Sequence, residues 1–329
     1  MPKPHLSFDM QMSIGEMAAW MAMAHCLPRW LIERKNRLLI AILHEKKMNL
    51  EGFFAYYPIQ WQKEFALSEK EIHDLQQASA KRLELTHLAT QLNKRGIGLI
   101  PLHSSLYSPI LKHNLKTKQA PALLYVIGNS ELLQKDAVAI VGSRKADGVS
   151  LYFTDHLSKK LTQQGKVIVS GFANGIDKQA LNSALGYGGQ SIIVLPQGIA
   201  TFNKGQAQYR REIEQGNLIA LSTFQPQAVW DKGLAMARNH LIYGLSSQIY
   251  VAQTAEKGGT WTGAMHGLKQ KRKIFVRMPH ENEKNANLLL IQQGASAVDF
   301  WGTELSKEQT TEQTMKQIIA PKQTDIFLF

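Results

Sequence analysis

The chain has 329 residues, 44% of them hydrophobic and 19% charged, with a single cysteine and a net charge of +12. This is the make-up of a folded globular protein of about one to three domains, and it excludes collagen-like, disordered and disulfide-scaffold classes. Cys26 alone can build neither an intramolecular disulfide nor a cysteine-based zinc site, and no metal or cofactor is expected.

The longest apolar runs, Met17–Ala24 and Leu38–Leu43, fall well short of the ~20 residues that span a bilayer. Asp9 and Glu16 interrupt the stretch a secretory signal would occupy, so a cytoplasmic protein without membrane contact is expected. Residues 98–300 hold 22 Lys/Arg against 12 Asp/Glu, whereas 1–97 hold 13 against 10 and 301–329 hold 3 against 4. A basic middle segment favours a polyanion, nucleic acid before membrane, because no basic amphipathic helix accompanies it; a merely solubilising surface is the alternative.

Residues 1–97 read as a helical N-terminal domain. Ser13-Ile14-Gly15-Glu16 and Ser68-Glu69-Lys70-Glu71 fit the capping box, in which Ser and the Glu three residues on satisfy each other's backbone N–H groups. The second box opens a helix expected to bury Ile72, Leu75, Leu83, Leu85 and Leu88 and to stop near Gly96. His25, His44, His73 and His87 are scattered singly, which suits surface or core histidines better than a metal site.

From Gly98 the pattern changes to short β-branched runs with helices between them. The runs are Ala137–Val141, Lys166–Ser170, Ser191–Leu195, Leu218–Ser222, Gln248–Ala252, Lys273–Met278 and Ala297–Phe300. Helices are predicted at Gly148–Gln164, Asp177–Tyr187 and Thr262–Gln270. Continuous apolar strands alternating with helices give an α/β fold, a mostly parallel sheet covered on both faces that binds ligands at the carboxyl ends of its strands.

The loops at those ends are rich in glycine. They are Gly142-Ser143-Arg144, Ser170-Gly171-Phe172-Ala173-Asn174-Gly175-Ile176-Asp177 and Lys257-Gly258-Gly259-Thr260-Trp261-Thr262-Gly263. Glycine lets an anion approach backbone N–H groups, and the helix that follows adds its positive end. None of the three is a Walker A or a G-x-G-x-x-G fingerprint, so a standard ATPase or NAD enzyme is disfavoured.

Taken in order, Val138–Arg144, Ser170–Asp177, Pro196-Gln197-Gly198-Ile199, Arg238-Asn239-His240-Leu241-Ile242-Tyr243-Gly244-Leu245-Ser246, Gly259–Thr262 and Asn287-Leu288-Leu289 with Gly294-Ala295 resemble the DNA-processing protein A family (DprA, also called Smf). The lead-in 101–128, with Tyr107, Pro109, Pro121, Leu124, Tyr125 and Gly128, resembles the family as well, so the likeness covers roughly residues 98–297. It implies an extended Rossmann-like domain over 98–300 that forms a homodimer, binds single-stranded DNA without sequence preference and helps load RecA, without being an enzyme in the usual sense.

By position, Gly142, Ser143 and Arg144 match the family's anion-binding turn, and Ser170, Gly171 and Gly175 its second glycine loop. Phe172 and Asn174 of that loop, with Asn239, Gly258, Gly259 and Thr260, complete the expected DNA-binding set. Arg238 matches the first arginine of the family's R-N-R, and His240 stands for the second. The family's S-E-Y-P acid is Thr223 here, its V-E-A acid is Gln253, and 29 residues after Phe300 leave no room for a winged-helix domain.

Single sites have competing readings. Arg144 can contact a phosphate or pair with a carboxylate, and position with motif favours phosphate. Asp177 reads as a helix N-cap, because an acid there satisfies N–H groups but repels phosphate. Arg238 either lines the crest or packs on the sheet. The run Lys269-Gln270-Lys271-Arg272-Lys273 closes a helix at the edge away from the glycine loops, where cations complement the helix end. Trp261 reads as a core or dimer contact rather than a base-stacking ring.

Two rival functions use the same crest. Gly258-Gly259-Thr260-Trp261-Thr262 is similar to the loop of nucleoside-monophosphate phosphoribohydrolases, but Met265 stands where their glutamate lies; a nucleotide sensor is the other. After an expected helix at Glu308–Ile319 and Pro321, the tail Gln323-Thr324-Asp325-Ile326-Phe327 resembles the pentapeptide that docks on the replication sliding clamp. Gln323 and Asp325 would bond the rim of a pocket filled by Ile326 and Phe327; packing back on the fold is the alternative.

Overall fold

A computed structural model of the protein describes residues 12–281 and 283–319. Its centre is a nine-stranded sheet of β1 (Gly98–Pro101), β2 (Leu123–Gly128), β3 (Ala137–Gly142), β4 (Val167–Ser170), β5 (Gln190–Val194), β6 (Leu218–Ser222), β7 (Gln248–Gln253), β8 (Ile274–Arg277) and β9 (Ser296–Val298). The order is β1-β2-β6-β5-β4-β3-β7-β8-β9. Strands β3 to β9 run parallel, while β2 is antiparallel to both β1 and β6.

The seven parallel strands are those the apolar runs predict, to within about two residues. They read as continuous hydrophobics because both faces are covered. Val138, Ile140 and Ile168 pack under Phe153, Leu157, Ala180 and Ala184, from the helices Gly148–Gln163 and Ile176–Gly186. Ala139, Val141, Val169 and Val251 point the other way, into a core with Leu241, Leu245 and Leu290.

The chain steps from β3 outward through β4, β5 and β6, then returns to place β7 on the other side of β3. That reversal opens a crevice at the carboxyl ends of β3 and β7. The pairing of these strands shifts register between Val141 and Gly142, which now faces Gln253. A Cβ on Gly142 would meet Ile176 Cγ1 at 2.5 Å, so glycine here lets the next helix dock against the strand end.

Strands β1 and β2 are not among the predicted runs. Their segment was legible only as a lead-in, because Pro101, Pro109 and Pro121 break it into pieces around the helix Pro109–Gln119.

In the helical region, Ile14–His25 buries Met17 to Met23 without interruption. Such an all-round apolar helix belongs at the centre of its neighbours. Its core runs on into the sheet: Trp20, Phe53 and Leu92 share one cluster with Tyr125, Ile193 and Leu195. The Ser68 capping box forms as expected. The Ser13 box forms by half: Ser13 accepts from Glu16 N, but the Glu16 carboxylate accepts from Leu50 N and Glu51 N at 3.1 and 2.7 Å, capping the short helix Leu50–Phe54.

The helix predicted beyond Ser68 is two, Glu69–Ala80 and Arg82–Lys94, and Leu83 lies 73% exposed just after the break. Ile72 and Leu75 are buried, with Leu85 and Leu88 packed against the same core. No helix among the described residues is long and apolar enough to cross a membrane.

Candidate nucleic-acid interface

Three strand ends build the crevice. After β3, Ser143 N donates to the Gln253 carbonyl and the Ser143 carbonyl accepts from Ile176 N, so this turn is tied to both β7 and the next helix. The Ser143 hydroxyl is held by Lys145 O at 3.0 Å, and Arg144 and Lys145 stand exposed. The Arg144 guanidinium lies 6.0 Å from the centre of the Trp230 ring.

After β4, the Ser170 hydroxyl donates to the Asp177 carbonyl at 2.6 Å and accepts from Phe172 N. Ser170 is fully buried, so its hydroxyl shapes the loop from within. Phe172 sits at φ +59°, which drives its ring edge-on against Phe202 and Tyr209 and pins the loop to the core. Gly175 has φ +80°, and a Cβ there would strike Ser143 O at 2.3 Å. Asn174 is exposed.

The helix begins at Ile176 with Gly175 as its N-cap, so Asp177 lies inside the first turn and is not the cap expected of it. Its carboxylate turns into the crevice, where the backbone N–H groups of Ala173, Gly171 and Gly142 favour its charged form. Burial pushes this carboxyl above the usual range, against the opposing pull of Arg238 and those three N–H groups.

After β7, the Thr260 hydroxyl donates to Gly142 O at 3.0 Å, and Asn239 Nδ2 donates to Gly259 O at 3.4 Å. The third loop is thereby fixed to the first. Arg238, between the helices Lys232–Ala237 and Asn239–Gly244, is 3% exposed. Its Nη1 lies 4.0 Å from Asp177 Oδ2, and Nε and Nη1 have no hydrogen-bond partner.

These parts enclose an open cavity of about 390 Å³. Of the residues singled out in the sequence, it collects Gly142, Ser143, Arg144, Arg238, Asn239, Gly258, Gly259 and Thr260. Ser170, Phe172, Asn174 and Gly175 lie outside it, and Gly171 packs behind Arg238. His240 is turned away: its Nδ1 bonds the Ala237 carbonyl, and it lines a smaller cleft with Thr262 and His266. Trp261 packs against the sheet core. The tail residues Gln323, Asp325, Ile326 and Phe327 lie outside the described residues.

Lys257, which opens the third glycine loop, also lines the cavity, as do Trp230 and Lys232, which were not singled out in the sequence. Trp230 is 51% exposed on a loop, where a tryptophan beside Val229, itself 74% exposed, was the available signal. The cavity thus offers four cations, two aromatic rings including Tyr243, and backbone donors. Among the described residues no group of three or more His, Cys, Asp or Glu side chains could hold a metal.

An open, doubly wound α/β sheet with a cationic crevice at its switch point defines a protein of the Rossmann-like class. Residues 98–309 match the model of the DNA recombination-mediator protein A family, and the chain belongs to that family. It is 30% identical over 236 residues to DNA processing protein DprA of Bacillus subtilis, covering 71% of this chain and 78% of that protein. Protein Smf of Escherichia coli is 32% identical over 183 residues, 54% of this chain and 47% of that one.

Among solved structures, DprA of Streptococcus pneumoniae superposes with a TM-score of 0.59 at 23% identity, over 79% of this chain and 90% of that one, and shares the fold. DprA of Helicobacter pylori gives 0.52 at 28% identity, over 61% and 90%, in a structure reported for its single-stranded DNA binding mode.

Proposed function

We propose that this chain binds single-stranded DNA along the crevice and acts as a recombination mediator that protects the strand and passes it to RecA. The observation that carries the reading is Arg238, a buried guanidinium with two unpartnered nitrogens in the floor of a cavity rimmed by Arg144, Lys232 and Lys257. A buried cation with free donors is costly unless an anion completes it, and a phosphate does so. Trp230 beside Arg144 adds a face on which an unpaired base stacks. The single-strand binding reported for the Helicobacter pylori relative supports the choice of strand. Fluorescence anisotropy with single-stranded and duplex oligonucleotides tests it, and preference for duplex would overturn it.

In this reading the working form is a cytoplasmic homodimer without catalytic turnover. The tail Gln323–Phe327 is the candidate contact for a sliding clamp, to be tested with a peptide of residues 320–329. Asp177 keeps a rival in play, since its carboxyl sits beside Arg238 in the same cavity, as a nucleotide sensor or phosphoribohydrolase would need. Release of a free base from a nucleotide, abolished by Asp177→Asn, would establish that rival.

A further inference from the structure

The run Lys269–Lys273 closes the helix Gly259–Lys269 at the edge where β7 and β8 begin, away from the crevice. It does not stand alone there. The helix Pro109–Gln119 faces it with exposed Lys116 and Lys118, and between them lies a groove of about 680 Å³. Lys271 and Lys273 are exposed on the opposite wall. Arg272 is spent on the Ser246 carbonyl, and the nearby carboxylate of Asp136 is engaged by Lys166 and by the Ser247 hydroxyl. The four lysines are therefore left to whatever enters.

Lys116 also lines a second cavity of about 290 Å³, whose walls include Leu39, Ile40, Leu43, Leu102 and Ala120. Two fully buried residues on its lining carry polar atoms without a partner, the donor Trp20 Nε1 and the acceptor Asn36 Oδ1. Asn36 cannot be turned round to satisfy itself. Its amide nitrogen donates to Thr117 O and Ala120 O at 2.9 and 2.8 Å, which fixes the oxygen on the other side. Both atoms lie beneath the accessible surface of the pocket, which therefore presents a mainly apolar wall to whatever enters it.

A nucleobase has a flat apolar ring that fits such a wall, and in a strand it comes joined to phosphates that match the lysines of the groove. We propose that groove and pocket form a second single-strand site, with the backbone lying over Lys116, Lys118, Lys271 and Lys273 and one unstacked base entering the pocket against Ile40 and Leu43. The proposal rests on the reading that this chain binds single-stranded nucleic acid. A strand long enough to reach both sites is then held by two linked contacts.

The test uses the full chain and a long oligothymidylate carrying 4-thiothymidine. Lys271→Glu with Lys273→Glu lowers affinity for the long strand roughly tenfold. Photocrosslinks mapped by mass spectrometry fall within residues 36–44 or 112–120. Ile40 is 41% exposed at the pocket, so Ile40→Trp plugs it without disturbing the core and removes those crosslinks while the circular dichroism spectrum is kept. Long-strand affinity indifferent to the charge reversals, or crosslinks confined to the crevice, overturns the second site and leaves the crevice reading standing. Failure of the unaltered chain to bind any single strand overturns both.

Discussion

Arg238 Nη1 stands 4.0 Å from Asp177 Oδ2, too far for a hydrogen bond, although both side chains are buried and the guanidinium has two nitrogens unpartnered among the described residues. The pair is close enough to balance charge and too far apart to use up the donors. Gly171 sets that spacing, since a Cβ there would lie 1.7 Å from Arg238 Nη1 and 2.4 Å from Asp177 Oδ2.

Gly171→Ala is therefore expected to displace the guanidinium. Overpacking of this kind costs about 1–3 kcal/mol, read as a lower urea midpoint, and single-strand affinity falls with it. Unaltered stability and affinity would mean that Arg238 moves freely and that its position is not what the crevice depends on.

Exposed cations around the rim act through phosphate neutralisation. Arg144→Ala and Lys257→Ala should each weaken binding to all sequences alike and reduce the log–log salt slope by about 0.7. Titrations of an oligothymidylate at several salt concentrations measure this, and unchanged slopes in the double variant move the phosphates elsewhere.

Arg277 on β8 is fully buried and pairs with Glu283 Oε2 at 2.5 Å and Oε1 at 2.9 Å. Burial acts to raise the Glu283 carboxyl, but the Arg277 hydrogen bonds and charge outweigh it and hold it below its ordinary 4.5. The pair's contribution is thus present above pH 4.5 and lost as pH falls through the lowered value. Glu283→Gln leaves a buried charge alone and should cost about 3–5 kcal/mol in denaturant melts at neutral pH.

His25 shares a 2.9 Å hydrogen bond with the Tyr125 hydroxyl, and burial, aided by Lys35, pushes its pKa from 6.5 to about 4. Between those values the unfolded chain takes up a proton that the folded chain refuses. Stability should fall as pH drops from 6.5 toward 4, by at most about 3 kcal/mol. His25→Gln should flatten that window in urea midpoints measured across it, and an equal slope in both proteins would contradict the burial argument.

The parallel strands were legible because burial on both faces leaves a continuous β-branched run such as Val138-Ala139-Ile140-Val141, which few other environments tolerate. The crevice was legible where glycine marks a turn, at Gly142 and at Gly258-Gly259. Side-chain direction was not. Ser170 and Phe172 belong to the right loop, yet one closes it from inside and the other anchors it to the core, because Phe172 adopts a positive φ that its residue type does not announce. Asp177 looked like a cap because acids commonly serve there. The backbone reaches its cap one residue before the helix, at Gly175, which frees the carboxylate to face the crevice beside Arg238.

The cluster joining Trp20, Phe53 and Leu92 to Tyr125, Ile193 and Leu195 makes the helical region and the sheet thermodynamic partners. Neither half has an apolar surface complete in itself, so the two are expected to melt in one cooperative transition. Excising residues 1–97 would uncover greasy side chains on the sheet and favour aggregation. A chimera that grafts this sheet onto a foreign N-terminal segment would need to carry a matching set of large apolar residues with it.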